Sequence, residues 1–332
     1  MGVLVTGAAG FIGSFVSQAL LQRGETVIGV DNLNAYYDVS LKDSRLSNLR
    51  RNPNFHFVRA DIADQGGLLT ALRPHLGNID RVVHLAAQAG VRHSIDKPLD
   101  YLNANLGGHL HLLELARSVP NLRHMVYASS SSVYGASQRI PFSLDDPVDQ
   151  PVSLYAATKR ADELMSASYA SLYKIPLTGL RFFTVYGPAG RPDMAYFKFT
   201  QAILAGRPID VNGDGSQSRD FTYVDDIVAG VIAALDRPPS GAIPHRLFNL
   251  GDDQPEKLSH LIALIEQACG RKAEINYLPP SPGDVPATWA DISLSRAELG
   301  YAPQVPLAEG VARFVAWYRE HAGQPAVAAM SR

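Results

Sequence analysis

The sequence predicts an α/β protein, a doubly wound parallel (Rossmann) sheet joined to a smaller, discontinuous C-terminal α/β lobe. Three observations predict it. Short, near-continuous Val/Ile/Leu/Phe runs alternate with helix-period segments through the first half, as strands buried on both faces require. A glycine-rich turn, "VTGAAGFIGSF", stands between the first strand and the first helix. After about Thr184 the alternation stops, and Gly/Pro-rich loops and short strands replace it.

Taken in order, "GVLVTG" is the first strand, and a helix follows from about Gly13 to Arg23 with Gly24 as its stop. "TVIGVD" is the second strand, and Asn32 to Asn52 is a polar stretch containing "NAYYDVSLKDSRL". "FHFVRAD", "DRVVHLAA", "HMVYASS" and "PLTGLRFF" continue the sheet, with helical segments such as Leu99–Ser118 and Leu154–Tyr173 between them. Such alternation implies right-handed crossovers. "YGPAGRPDM" reads as a loop, "PIDVNGDGSQSRDFTYVDD" as short strands around a turn, and "RLFNLGDD" as a returning strand. The tail from Leu258 is mostly helical, interrupted by "YLPPSPGDVP", and the last dozen residues, "HAGQPAVAAMSR", read as frayed. The expected division is 1–185 plus about 225–252 for the Rossmann domain, and about 186–224 plus 253–332 for the second lobe.

Composition narrows the function. With 332 residues and 46% apolar content the chain builds an ordinary large core, and its net charge of -2 argues against a nucleic-acid binder. No apolar run reaches the roughly 18 residues of a membrane span. The single Cys269 has no disulfide partner within the chain, which points to the cytoplasm, and "IEQACG" makes it a buried helix-end residue rather than a nucleophile. "MGVLVT" fits an acylation pattern at Gly2, but acylation would pull Gly2 out of the first strand. No basic lead or small-residue cleavage site marks a signal peptide. No metal-ligand cluster is expected; His109 and His111, two apart on a helix, face different sides and read as packing or surface residues.

Gly7, Gly10 and Gly13 permit a tight turn, so a pyrophosphate can sit on the N-terminus of the following helix beside Phe11 and Ile12. Asp31, 18 residues after Gly13, ends the second strand, where its carboxylate can accept from both adenosine ribose hydroxyls. A 2'-phosphate would be repelled there, so NAD is favoured over NADP. Further on, "SLYAATKRADEL" places Tyr155 and Lys159 four apart on one helical face. Phenol has a reference pKa of about 10 and is a poor base, but a nearby ammonium favours the phenolate. By itself such a pair also fits a solvated amphipathic face.

Together these motifs resemble the extended short-chain dehydrogenase/reductase family of NAD-dependent sugar-nucleotide epimerases and dehydratases. The resemblance implies that Asn32, Asp61 and Ile62 lie by the adenosine, that Leu85, Ala86, Ala87 and Gln88 run along the cofactor, and that Asn105 is a structural Asn of the active site. Asp61 alternatively reads as a strand-end turn residue. Tyr155 and Lys159 match the family's catalytic pair, Lys159 also holding the nicotinamide ribose, and Ser130 matches its catalytic Ser/Thr. The four serines Ser129–Ser132 then emerge at the carboxyl end of the fifth strand, at the rim of the site, rather than forming a linker.

"GLRFFTVYGPAGRPDMAYFKF", "DNLNAYYDVSLKDSRL" and "AAQAGVRHSIDKP" are similar to the uronate-sugar 4-epimerases of this family, and the similarity runs over essentially the whole chain. It implies reversible C4 epimerisation of UDP-glucuronate to UDP-galacturonate through a 4-keto sugar, by an isomerase expected to be a homodimer. Related dehydratases place an Asp-Glu pair before "VYG", and related decarboxylases a Glu at the position of Ser132; Ser131 and Ser132 are neutral hydroxyls. With Thr184 they can grip the sugar carboxylate by charge-assisted bonds. Arg191 either adds positive charge there or is a surface residue of its loop. Met194, Ala195, Ile209 and Val211 are implied around uracil, Arg219 on the diphosphate and Asp284 on the ribose. Ser281 stands where related epimerases often carry a second phosphate-binding Arg; Arg92 replaces it, touches the cofactor, or pairs with Asp96. The alternatives are a UDP-glucuronate decarboxylase, a neutral-sugar UDP-hexose 4-epimerase, and a non-catalytic NAD-binding sensor.

Overall fold

The computed structural model describes residues 1–280 and 284–321. Its main sheet holds seven parallel strands: β1 (Gly2–Thr6), β2 (Thr26–Asp31), β3 (Phe55–Arg59), β4 (Ile79–His84), β5 (His124–Ser130), β6 (Leu177–Phe182) and β10 (His245–Leu250). They lie in the order β10-β6-β5-β4-β1-β2-β3, all parallel. The strand order reverses between β1 and β4, so a crevice opens outside their carboxyl ends. Apolar residues alternate faces as the pleat demands: Val3 and Val5 enter one core and Leu4 the other. Helices Phe11–Gln22 and Val224–Leu235 cover the first face. Helices Gln65–Leu72, Gly108–Ser118 and Leu154–Tyr173 cover the second.

A second region, outside the main sheet, holds β7 (Thr184–Tyr186), β8 (Ile209–Asn212), β9 (Ser218–Tyr223), β11 (Pro255–Lys257) and β12 (Ile275–Leu278). Its helices Ala195–Leu204, Leu258–Cys269 and Leu307–His321 close over an aromatic cluster that includes Tyr196, Phe197, Phe314, Trp317 and Tyr318. Cys269 is buried at a helix end, and Gly2 is buried in β1. Helix Ser293–Leu299 packs on β10 and on helix 224–235.

The fold departs from the sequence reading in two places. The polar stretch 32–52 contains a helix, Val39–Leu49, capped by Asp38, which accepts from the Ser40 N–H at 2.9 Å. Its inward face mixes Leu41, Leu46 and Leu49 with buried Lys42 and Arg45, which hides the apolar period. Segment 99–118 is not one helix: short helices His93–Asp96 and Pro98–Tyr101 lead into a π-helical turn, Leu102–Gly107, before Gly108–Ser118. β8 and β9 flank a turn without pairing; β8 pairs with β12, and β9 lies between β11 and β7. His111 is half-buried, its ring nitrogen against the Ile62 carbonyl, and His109 is fully buried against Ser166. Ser281 and all but the first of the last dozen residues lie outside the described residues.

Candidate active site

Tyr155 and Lys159 are set by the helix Leu154–Tyr173, whose start is capped by Ser153 Oγ accepting from the Ala156 N–H at 3.1 Å. One helical stripe runs Tyr155, Lys159, Asp162, Glu163, Ser166, the i, i+3 and i+4 neighbours that face the sheet. Glu163 bolts this stripe down. It accepts from Ser129 of β5 at 2.6 Å and from the Arg181 fork of β6 at 2.8 and 2.9 Å, all three side chains being buried. Burial pushes the Glu163 carboxyl up, but the Arg181 and Ser129 hydrogen bonds outweigh it and hold it below the ordinary range. The Arg181 guanidinium also lies 4.8 Å from the Tyr134 ring centroid.

Lys159 Nζ donates to the Ala128 carbonyl at 3.1 Å and to Asp162 Oδ2 at 3.0 Å. Burial lifts the Asp162 carboxyl to about 6 although Lys159 opposes it. Behind this pair, His84 receives or donates a bond with Thr6 Oγ1 at 2.7 Å and stacks on His109 at 5.3 Å. Burial, then the Lys159 charge, lowers His84 to about 3; His109 is pushed well down by burial and by His84. Both imidazoles are therefore neutral, and Lys159 is the cation beside the cavity floor.

A cavity of about 280 Å³ joins these groups to the glycine turn. Gly7, Gly10, Phe11, Ile12, Gly13, Asp31, Asn32, Asp61, Ile62 and Leu85 to Gln88 line it, and Ser130, Tyr155, Lys159, Arg191 and Met194 line its far end. Gly7 has φ +72° and a Cβ there would sit 2.9 Å from the Ala86 nitrogen; a Cβ at Gly13 would sit 2.0 Å from the Gly7 carbonyl oxygen. Only glycine fits such a turn. Gly10 caps helix Phe11–Gln22 without a side-chain bond, so the first-turn N–H groups keep their capacity for an anion. Asp31 accepts from the Ala9 and Leu33 N–H groups at 3.1 and 2.9 Å, with Lys42 Nζ 3.7 Å away. Asp61 accepts from Asn32 at 2.9 Å and from the Ala63 N–H at 2.9 Å, so it is both a turn residue and part of the cavity wall. The glycine turn, the terminal carboxylate and the elongated lining fit a dinucleotide.

Asn105 is not at the cavity surface. From the π turn it accepts from the Gln88 N–H at 2.8 Å and donates to the Gln88 carbonyl and Thr158 Oγ1 at 3.1 and 3.0 Å. It thereby ties the wall after β4 to the helix bearing Tyr155. No local period in "NANLGG" announces this turn.

A second cavity of about 190 Å³ is lined by Arg92, Ser131, Ser132, Thr184, Arg219 and Asp284 among others. The serine run is thus divided. Ser129 holds Glu163, Ser130 faces the first cavity while its Oγ accepts from the Ser132 N–H at 3.1 Å, and Ser131 and Ser132 face the second. Arg219 pairs with Asp284, and Arg191 with Asp193 at 2.6 Å. Arg191 is half-buried, not a free surface residue, and Arg92 makes no ion pair with Asp96 among the described residues. Three of the expected nucleotide residues line neither cavity: Ile209 and Val211 alternate inward on β8 and pack in the core, and Ala195 lies outside both linings. Ala195 is half-buried at the start of helix Ala195–Leu204, beside Met194. Sequence reading missed Asp162, Glu163, Asp193, Lys42 and Arg45, whose partners are mostly remote in the chain or lie in loops.

Residues 3–251 match the family model described as NAD dependent epimerase/dehydratase family. A probable UDP-glucuronate 4-epimerase of Rhizobium meliloti is 46% identical, with 97% of this chain and 98% of the relative covered. UDP-glucuronate 4-epimerase 4 of Arabidopsis thaliana is 48% identical, with 95% of this chain and 75% of the relative covered. Among solved structures, the UDP-glucuronic acid 4-epimerase of Bacillus cereus in complex with UDP-glucuronic acid and NAD superposes with a TM-score of 0.88 at 37% identity, over 96% of this chain and 99% of that one. Tyrosine, lysine and glycine turn meeting in one cavity and similarity spanning nearly the whole length lead to one conclusion: the chain belongs to the NAD-dependent epimerase/dehydratase family.

Proposed function

We propose that the protein is an NAD-dependent isomerase that interconverts UDP-glucuronate and UDP-galacturonate by inverting C4 through a 4-keto intermediate. The observation that carries this is the single cavity in which Tyr155, Lys159 and Ser130 stand at one end and the glycine turn with Asp31 at the other. The similarity to UDP-glucuronate 4-epimerases over 95–97% of the chain supports the substrate.

The glycine turn, Asp31, Asn32, Asp61, Ile62, the 85–88 wall and Lys159 would hold NAD, which when bound would supply reversible hydride chemistry for the sugar C4. Tyr155 accepts the 4-hydroxyl proton beside Ser130 and gives it back once the sugar presents its other face. Lys159 stands at the Tyr155 end of the cavity, with Asp162 and the Ala128 carbonyl fixing its direction. Asn105 holds the wall and the catalytic helix in register. Ser131, Ser132 and Thr184 bind the C6 carboxylate and keep its C–C bond away from the carbonyl π system, with Arg191 adding charge. Met194 and Ala195 flank the nucleotide by their main chain, Arg219 and Asp284 exchange their mutual pair for the diphosphate and ribose, and Arg92 supplies a second phosphate contact. Residues 1–185 with 225–252 form the cofactor domain, and 186–224 with 253–332 the sugar-nucleotide lobe.

No helix among the described residues is long and apolar enough to cross a membrane. The lone Cys269 supports a cytoplasmic enzyme. Exposed Leu164, Leu172 and Tyr173 on the catalytic helix, with exposed Ile95, Leu99 and Leu102 on the short elements packed against that helix, support a homodimer, which light scattering on the purified protein checks. Incubation with UDP-glucuronate without added NAD tests the reaction. UDP-galacturonate is the expected product; UDP-xylose alone would establish a decarboxylase, turnover of UDP-glucose alone a neutral-sugar epimerase, and no turnover of either a non-catalytic NAD binder.

A further inference from the structure

The segment 34–45 is stitched to both halves of the site. Arg45, on helix Val39–Leu49 and 5% exposed, spends its fork on main-chain carbonyls rather than on a carboxylate. Its Nη1 donates to the Ala9 carbonyl of the cofactor turn at 2.9 Å and to Tyr37 Oη at 2.7 Å. Its Nε and Nη2 both donate to the Ala189 carbonyl, at 3.2 and 2.6 Å, and Nη2 reaches the Gly190 carbonyl at 3.3 Å. Those carbonyls belong to the loop that carries Arg191. The loop has an unusual shape: Ala189 sits at φ +52° and Gly187 at φ +146°, and a Cβ at Gly190 would lie 1.8 Å from Tyr196 Oη. A non-glycine residue in the left-handed region persists only where its surroundings enforce it. Tyr36 adds a second stitch, donating to Asp193 at 3.2 Å, and Lys42, one helical turn before Arg45, reaches Asn34 at 2.8 Å and faces Asp31.

We propose that Arg45 is a positioning residue that locks loop 187–193 onto the backbone of the cofactor turn, so that Arg191 is held at a fixed height over the sugar end of the cavity. A planar fork with several donors suits this task, whereas a point ammonium cannot span Ala9 and Ala189 together. The inference rests on the proposed UDP-glucuronate chemistry for its readout, and wild-type product analysis tests that chemistry separately.

The test is a double-mutant cycle of Arg45→Met with Arg191→Met, reading KM and kcat for UDP-glucuronate and the NAD bound per chain. Arg45→Met is expected to raise KM by about 10-fold or more while kcat changes less than about 3-fold, the pattern of lost uniform binding. In the Arg191→Met background the same substitution is expected to change KM by less than about 3-fold, because the two act through one contact. Equal KM effects in both backgrounds, or loss of NAD and kcat at unchanged KM, would overturn the proposal. Should Arg45→Met fail to fold, Arg45→Lys carries the same cycle. A wild-type measurement needs no variant: hydrogen–deuterium exchange across 187–193 slows when NAD binds, and exchange indifferent to NAD would refute the link. If the wild type binds UDP-glucuronate without turnover, the cycle is read on Kd; if it binds none, the proposal falls with the reaction.

Discussion

Four imidazoles, His84, His109 and His124 buried and His245 half-buried, are neutral in this fold, and mild acid should find them. Burial lowers His84 to about 3, His124 to about 4 and His245 to about 4, and His109 well below its usual value. Each folded pKa lies below the unfolded one of about 6.5, so the unfolded chain binds the extra proton. The stability they allow is complete above pH 6.5 and is lost as pH falls toward the folded values. At pH 5 the pH lies about 1.5 units below the unfolded pKa, a loss of about 2 kcal/mol apiece, or roughly 6 kcal/mol for His84, His124 and His245, with His109 adding in the same direction. Asp162, lifted to about 6, has the opposite sign and returns about 1 kcal/mol by pH 5. Asp252, raised to about 7 by burial and then by Asp220 but partly screened by solvent, returns no more than about 1 kcal/mol. The net loss between pH 8 and pH 5 is on the order of 4 kcal/mol before His109 is counted, a large part of the 5–15 kcal/mol by which domains are usually stable. Urea unfolding followed by circular dichroism at both pH values, with NAD content held fixed, measures it. His124→Gln should reduce the loss between pH 8 and pH 5 by about 2 kcal/mol. Equal stability at pH 8 and pH 5, within about 1 kcal/mol, would refute the assignment of neutral buried imidazoles.

Three further outcomes are expected. Tyr155→Phe should lower kcat by at least about 10²-fold with folding intact, and near-normal turnover in a product assay would remove Tyr155 from proton transfer. Thr184→Ala should release a UDP-pentose by-product detectable by chromatography, since one of the hydroxyls that restrain the carboxylate is gone; an unchanged product ratio counts against that restraint. Glu163→Gln leaves the buried Arg181 without its counter-charge and should cost about 3–5 kcal/mol in denaturant unfolding, whereas a loss under about 1 kcal/mol would mean the pair is dispensable.

What the sequence disclosed and what it withheld divide along contact range. The glycine turn and the Tyr155–Lys159 spacing are local devices: one needs a backbone shape that only glycine allows, the other a helical repeat, and both are written in consecutive residues. The parallel sheet is legible for the same reason, because strands buried on both faces must be apolar along their length. Helix Val39–Leu49 was hidden because two of its inward positions are Lys42 and Arg45, whose burial depends on carbonyls and carboxylates distant in the chain. The partition of the serine run between Glu163 and two cavities depends on where β5 ends and the short turn Ser131–Tyr134 begins. Asn105 was recognisable only by likeness, since its two contacts are 17 and 53 residues away. Ile209 and Val211 face the core because β8 borrows its partner from β12, a pairing without a local signature.

Four of the cations around the cleft do not stand alone. Lys42 faces Asp31, Lys159 holds Asp162, Arg191 holds Asp193 and Arg219 holds Asp284. A sugar nucleotide arriving from solution therefore meets a surface whose positive groups, Arg92 apart, are already matched, with little long-range pull to guide it. Capture becomes a trade of one aspartate for another anion at close quarters, so encounter rates should depend weakly on ionic strength while selectivity is decided only after contact.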